Sequence, residues 1–400
     1  MKSNRNVGLL IVFLIITVLM AVALLPSVNP SVAEGLKAIS PIDNVDYTTQ
    51  TIFDSINYAR SIHILAMLLL GFGFLMVFLR GHEYTSLTAT LLAVSISIPV
   101  YMIVMSFLPN EYEIMSIDGL LFAEFCGASL LICMGAVLGR LKMDQYFVLG
   151  ILFTLAYIFN EWLLLESGVF DGFLDTGGSV AIHAFGAYFG LGVVATTAKK
   201  FENSPGPKAD KISNEFCLLG SMVLWLFWPS FTSSVADPAH TYLTALNTIL
   251  ALAGSTLATY VFTKLIRGKI EIEDIANAAL AGGVAIGSTC STADPGFSMI
   301  IGICAGTLST CGFAIIAPKV CKLIRGTDTC GVHNLHGMPG LLGGLFAIGI
   351  NGNVGVQVGA CVCTVVVGLV LGRICGIILG FFGTKEDTYD DMDDFLIEEE

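Results

Sequence analysis

Charge is what this sequence has least of. Only 13% of its 400 residues are Asp, Glu, Lys or Arg, about half the share in a soluble domain. Such a chain could not clothe a water-facing surface of ordinary polarity. Hydrophobic residues make up 55%, which excludes a disordered chain and a secreted disulfide scaffold. Basic clusters are missing too. Nineteen Lys and Arg stand against 32 Asp and Glu, a net charge of −13, which argues against nucleic acid as a partner. There is no G-x-x-x-x-G-K-[ST] phosphate loop and no H-E-x-x-H. No Ser/His or paired-Asp set lies at one depth, so an intramembrane hydrolase is not supported and no catalytic residue is assigned. The eleven cysteines follow no zinc spacing, and most lie in apolar runs as small hydrophobes. No metal and no cofactor is expected.

What fills the chain instead is long apolar runs. A membrane-spanning helix needs about 20 mostly apolar residues. Runs of this kind occur at 8–25, 56–79, 85–107, 120–138, 146–165, 178–197, 215–231, 242–266, 275–289, 298–317, 329–350 and 354–382. The first follows Lys2 and Arg5 and precedes Pro26, Pro30 and the small-x-small sequence Ser31-Val32-Ala33. It reads as a signal peptide over residues 1–33, with an uncleaved twelfth span as the alternative. The expected fold is therefore an all-α membrane protein. It has 11 transmembrane helices after signal cleavage (12 if uncleaved), as two inverted five-helix repeats plus a C-terminal helix. The membrane domain covers 34–383 and an acidic tail 384–400.

Basic residues set the orientation. One set of alternate loops holds Arg80, Arg140, Lys142, Lys199, Lys200, Lys208, Lys211, Lys264, Arg267, Lys269, Lys319, Lys322, Arg325 and Lys385; the other holds only Lys37 and Arg60. The positive-inside rule places the first set in the cytoplasm. This predicts a multi-pass protein of the inner or plasma membrane with a cytoplasmic C-terminus. Nine of the last fifteen residues are acidic, as in a solvated tail.

Ionisable residues within spans mark function by default, and His63, His183, His333 and His336 are of this kind. Residues 177–186 echo residues 330–337: each begins a span at a Gly and places a His within two turns. They open the fifth and tenth mature spans, which end the two inverted halves, and substrate sites lie near such repeat interfaces. His183 and His333 would then face one another. Two neutral imidazoles can share one proton and leave their outer nitrogens for a small polar solute such as ammonia. A bare cation in the same dry pore would lose too much hydration. A metal is the competing use of the pair, but no Cys or carboxylate completes a ligand set. Glycines four apart, such as Gly186 and Gly190 or Gly302 and Gly306, predict close helix packing.

Several motifs are longer than any of these patterns. Residues 328–340 read Asp-Thr-Cys-Gly-Val-His-Asn-Leu-His-Gly-Met-Pro-Gly, and 177–186 read Gly-Gly-Ser-Val-Ala-Ile-His-Ala-Phe-Gly. With Glu124-Phe125-Cys126, Asn160-Glu161 and Trp228-Pro229-Ser230-Phe231, they resemble the Rh branch of the Rh/Amt ammonium transporter family, in family order over nearly the whole mature chain. The resemblance implies a homotrimer with one pore per subunit. Its substrate would be ammonium or ammonia, with methylammonium and carbon dioxide as further candidates. It makes His183 and His333 the twin pore histidines, with His336 beside the pair in a packing or hydrogen-bonding role. Phe125 and Phe231 become a stacked outer gate. Asp175, eight residues before His183, would organise the outer vestibule while capping the fifth span, with Glu161 and Trp228 as further vestibule residues. Glu124 and Glu161 lie near outer ends of spans, where an ordinary interfacial acid is the alternative reading. Thr232 stands where Rh proteins often have Asn, and the Amt branch's aromatic cage is matched only by Trp228. The expected activity is an ammonium/ammonia channel that deprotonates ammonium outside and conducts ammonia. The alternatives are a carbon dioxide or mixed gas channel, an electrogenic ammonium transporter, and an ammonium sensor acting through the tail.

Overall fold

The computed structural model describes residues 47–79, 81–105, 107–108, 116–197, 209–383 and 389–396, with three isolated positions before them. Apart from those three positions, the expected leader 1–33 lies outside the described residues, as do the tail residues 384–388 and 397–400. No strand occurs among the described residues. Among the described residues, nine helices are long and apolar enough to cross a membrane: α1 (Ile52–Phe78), α2 (Glu83–Met105), α3 (Ile117–Val137), α4 (Met143–Glu166), α5 (Ser179–Thr197), α6 (Lys211–Ser233), α7 (Pro238–Arg267), and, after two short helices, α10 (Pro295–Ile324) and α12 (Val354–Gly380).

Two expected spans are not single helices. The stretch 275–289 is divided between α8 (Ile272–Ala278) and α9 (Ala281–Ile286), and it continues into a single 3-10 turn at Gly287–Thr289. The stretch 329–350 opens with a π-helical turn at His333–Gly337, followed by α11 (Met338–Phe346). The end of α9 is set by contacts distant in sequence. Ser288 donates its backbone N–H to Ser179 Oγ, and Gly287 accepts the Gly177 N–H through its carbonyl. The chain after α9 is thus committed to wrapping the start of α5 and cannot continue its own helix.

Helix starts are set by short polar side chains, as capping chemistry requires. Ser116 accepts the Gly119 N–H at the start of α3, Asp210 accepts that of Ser213 before α6, and Asp294 accepts that of Phe297 before α10. α3 and α5 are the most enclosed spans, and α12 the least. On α12, Val362, Val366 and Val370 form an exposed i, i+4 stripe, the pattern of a face turned to lipid chains. α5 and α11 run antiparallel: Gly337 lies against Ala187, Gly340 against Ala184 and Gly344 against Val180. This is the arrangement expected of elements that end two inverted halves.

Glycine makes the closest crossing possible. Gly282 of α9 and Gly302 of α10 both lie against the Ala251 carbonyl oxygen of α7, so a Cβ at either would overlap that oxygen. The neighbour is backbone and cannot rotate away. Overpacking of this kind costs about 1–3 kcal/mol. Gly302→Val is therefore expected to lower the thermal midpoint in detergent clearly. Gly355→Ala, where nothing lies within 4 Å of the added carbon, should leave it nearly unchanged; equal midpoints would refute the packing argument.

Candidate functional site

The two helix starts inside the protein share one construction. Asp175, then Gly178 with a φ of 73°, leads into a π-helical turn at Ser179–Ala184. Asp328, then Gly331 with a φ of 67°, leads into the π turn at His333–Gly337. Such φ values are open to glycine and strained for other residues. In each case the carboxylate lies across the exposed N–H groups of the new helix. Asp175 accepts from Val180 at 3.0 Å and Ala181 at 2.8 Å, and Asp328 accepts from Val332 at 3.0 Å and His333 at 2.9 Å. Ser288 also donates its hydroxyl to Asp175. Both acids are buried. Burial pushes the Asp175 carboxyl up to about 6, and the Ser288 hydroxyl and the helix N–H groups pull against it. Asp175 is thus a helix cap, and it also lines a cavity of about 40 Å³ with Glu161, Phe125 and Phe231.

This construction corrects the histidine pairing. His183 Nδ1 lies 3.3 Å from His336 Nδ1, with ring centroids 5.4 Å apart and planes 11° from parallel. His333 instead meets Tyr188 edge-on at 5.7 Å, and its backbone N–H is spent on the Asp328 cap. The reason is register. His183 follows Asp175 by eight residues and Gly178 by five; His336 follows Asp328 by eight and Gly331 by five. Matching the caps across the two halves, rather than the first His after each Gly, selects the correct partner. An Nδ1-to-Nδ1 hydrogen bond needs one ring protonated at Nδ1 and the other at Nε2. The pair therefore holds opposite tautomers.

The phenylalanines lie directly above. Phe125 and Phe231 are in contact at 4.7 Å, but edge-to-face with planes at 64° rather than stacked. Aromatic quadrupoles favour this geometry over a face-to-face sandwich. Phe231 also lies 6.0 Å from His183. Glu161 is buried, accepts the Tyr101 hydroxyl at 2.7 Å and lines the same small cavity as Asp175. Trp228, expected with them in the vestibule, is elsewhere. It is fully buried and stacks on the His183 ring at 5.5 Å and 24°. Three residues at about 1.5 Å rise place it roughly one turn from Phe231, on the histidine side. Gly283 of α9 leaves the room its indole needs. Glu124 is fully buried and accepts the Ser61 hydroxyl at 2.6 Å, so it is not interfacial. His63 is held by Ser230 and Phe227, away from the pair.

Three cavities follow one another along this axis. The widest, about 400 Å³, is bordered by Asp118, Asp237, Asn57 and Phe122. It shares Phe122 and Val235 with the 40 Å³ cavity above the phenylalanine pair. Beyond the histidines, a cavity of about 20 Å³ is lined by His336, Phe72, Phe78, Leu335 and Cys330. That is about the space of one water molecule. The sequence reading missed Asp118, Asp237, Asp328 and the pairing role of His336. The spacing from acid to His carried a signal for the last two; nothing in the local sequence marked the first two. Among the described residues no group of three or more His, Cys, Asp or Glu could hold a metal ion.

Comparison with known proteins gives the family. The Ammonium Transporter Family profile matches residues 48–399. The chain belongs to the Ammonium Transporter Family. This sets it among multi-pass membrane proteins. It is 38% identical over 297 residues to the zebrafish (Danio rerio) ammonium transporter Rh type B, covering 72% of this chain and 63% of that protein. It is also 38% identical over 299 residues to the dog (Canis lupus familiaris) ammonium transporter Rh type A, covering 72% of this chain and 70% of that one. Among solved structures, Nitrosomonas europaea Rh50, of the Rhesus protein family of channels, matches with 44% identity and a TM-score of 0.85, covering 88% of this chain and 94% of that chain. A sensor Amt protein matches at 18% identity and TM-score 0.75 over 86% of this chain and 96% of that chain, a likeness of fold alone.

Removing a cap that serves two N–H groups costs about 1–2 kcal/mol. Asp328→Ala is expected to lower stability by this order and to disturb the imidazole signals of His336 more than those of His183 in NMR of labelled protein. Equal disturbance of both rings would separate the cap from the ring it orients.

Proposed function

We propose that this protein is an ammonium/ammonia channel in which ammonia crosses singly, past the phenylalanine pair and then along the His183–His336 pair. The contact between these two imidazoles carries the reading. Asp118 and Asp237 in the wide cavity, with Asp175 and Glu161 in the next, give a negative field that concentrates ammonium. Aromatic and aliphatic walls then face the solute. Moving an ion into such surroundings costs tens of kcal/mol in a low-dielectric medium, so ammonium leaves its proton to water on the vestibule side and goes on as ammonia. The histidines keep the dry segment passable. Ammonia donates to one ring nitrogen and accepts from another, and the opposite tautomers supply both kinds. His183 Nε2 is buried and has no hydrogen-bond partner among the described residues, so it is available for that exchange. Trp228 stacked behind His183 fixes the ring plane. Family membership and the Rh-type relatives support the same substrate.

The finer assignments rest on sequence. The surplus of Lys and Arg in alternate loops supports a cytoplasmic C-terminus in an inner or plasma membrane. The Rh resemblance supports a homotrimer with a pore in each subunit.

The test is internal pH and membrane current recorded together in proteoliposomes under an inward ammonium gradient. Alkalinisation faster than in empty liposomes, without current, is the expected result. Current that scales with ammonium would replace the proposal with ion transport, and no acceleration would remove ammonium as the substrate. Among variants, His183→Ala and His336→Ala should each change ammonia flux or its selectivity over ions at least severalfold, and His333→Ala should stay within about twofold of wild type. The reverse ranking would restore the pairing expected from sequence. Phe231→Ala should raise the leak of methylammonium; an unchanged leak would place the gate elsewhere.

A further inference from the structure

Two polar side chains of α1 take no part in the pathway described above. Ser61 is buried and donates its hydroxyl to Glu124 Oε1 at 2.6 Å. His63 Nδ1 lies 2.9 Å from Ser230 Oγ, and its ring stacks on Phe227 at 4.9 Å and 18°. The two partners share a property. Glu124 immediately precedes Phe125 on α3, and Ser230 immediately precedes Phe231 on α6. Each gate phenylalanine thus has its chain neighbour tied to the same helix.

Helical geometry makes α1 a spacer. Residues two apart on an α-helix point about 200° apart, so Ser61 and His63 leave nearly opposite sides of α1. The helix stands between α3 and α6 and holds one with each side. Each tie restrains something that would otherwise move. Glu124 is fully buried, and its Oε2 has no hydrogen-bond partner among the described residues. A buried carboxyl without a partner is costly. Without Ser61 it would turn toward the water of the vestibule and carry Phe125 along. On α6 the weakness lies in the backbone. Pro229 stands inside this helix, just before Ser230, and proline removes one rung of the hydrogen-bond ladder. Thr232 and Ser233 both donate back to the Pro229 carbonyl, a pattern that bends helices. Nearer its start, α6 is locked: Gly220 lies against the α1 backbone at Gly71 and Leu75, where an added Cβ would overlap it. Past that crossing α6 is free to flex at Pro229, and the His63–Ser230 contact ties the flexing part back to α1.

We propose that α1 sets the width of the phenylalanine gate, with Ser61 and His63 as positioning residues: Ser61 holds Phe125 through Glu124, and His63 holds Phe231 through Ser230. The two rings touch edge-to-face at 4.7 Å, so loss of either tie opens a gap between them. The inference rests on the reading of this pair as the gate for ammonia.

The experiment measures ammonia and methylammonium flux side by side in proteoliposomes of the full-length protein, and follows the Phe125 and Phe231 rings by NMR of phenylalanine-labelled protein. Ser61→Ala and His63→Ala are each expected to raise the ratio of methylammonium to ammonia flux about fivefold, within what one lost hydrogen bond allows. His63→Asn, whose amide reaches where Nδ1 does, should restore most of the wild-type ratio. In a Phe231→Ala background, His63→Ala should change the ratio less than about twofold, because the ring it positions is gone. An unchanged ratio in both alanine variants would overturn the inference. So would a fall in both fluxes by one common factor, which is what a merely structural role predicts, or full additivity with Phe231→Ala. The ring signals are a second measurement: Ser61→Ala should shift those of Phe125 more than those of Phe231, and His63→Ala the reverse. Should either alanine variant fail to fold, Ser230→Ala cuts the His63 tie from the other side. It should raise the ratio and shift the Phe231 signals, and a wild-type result in both overturns the proposal. Flux through wild type no faster than in empty liposomes would defeat the channel reading, while the ring signals would still decide whether α1 positions the phenylalanines.

Discussion

The structure depends on one requirement: two helices that begin inside the protein must have their first N–H groups satisfied where no water reaches them. An unsatisfied backbone donor in an apolar medium costs several kcal/mol. Asp175 and Asp328 meet the requirement with matching geometry, each after the same spacing to a glycine of positive φ and each before a π-helical turn. Because both caps are fixed, the residues eight positions on are fixed too, and His183 and His336 meet. The histidine pair is a consequence of how two helix starts are satisfied.

Around that pair the protein grades polarity by depth. Carboxylates border the wide cavity and the next one inward, phenylalanines follow, and beyond the histidines the lining is almost wholly apolar. The two carboxylates of the small cavity are already engaged: Tyr101 donates to Glu161, and Ser288 and two helix N–H groups donate to Asp175. A pathway of this kind discriminates mainly by what a solute loses on dehydration. Glycine at helix crossings keeps it narrow by letting backbones close on one another, as Gly282 and Gly302 do around Ala251. On the Asp328 side the acidic segment extends the same economy of caps, with Asp391 and Asp394 accepting N–H groups at the starts of α2 and α4.

Much of this was legible in the sequence. Apolar run length marked the nine long helices, and Gly followed by His marked the two special starts. Phe125 and Phe231 were expected together and are in contact, though edge-to-face. The reading went astray where partners are distant in sequence. His333 was paired with His183 because it is the first His after Gly331, and the Asp328 cap was not used to set the register. Trp228 was placed in the vestibule although its helix carries it past Phe231 to the His183 ring. The span at 275–289 was expected as one helix because nothing local reveals that Ser288 and Gly287 are bound to the start of α5.

By itself the sequence determined that the chain crosses a membrane many times, that its helices pack closely, and that histidines stand at the two half-helix starts. These follow from composition and period, because burial of apolar length and the alternation of basic loops are properties of segments taken one at a time. Tertiary structure alone decided which histidine faces His183, which surface Trp228 covers, and that Asp391 caps a helix begun at Glu83. Each of those is a contact between residues far apart in sequence. Its geometry is set by the packing of whole helices, which no local pattern encodes.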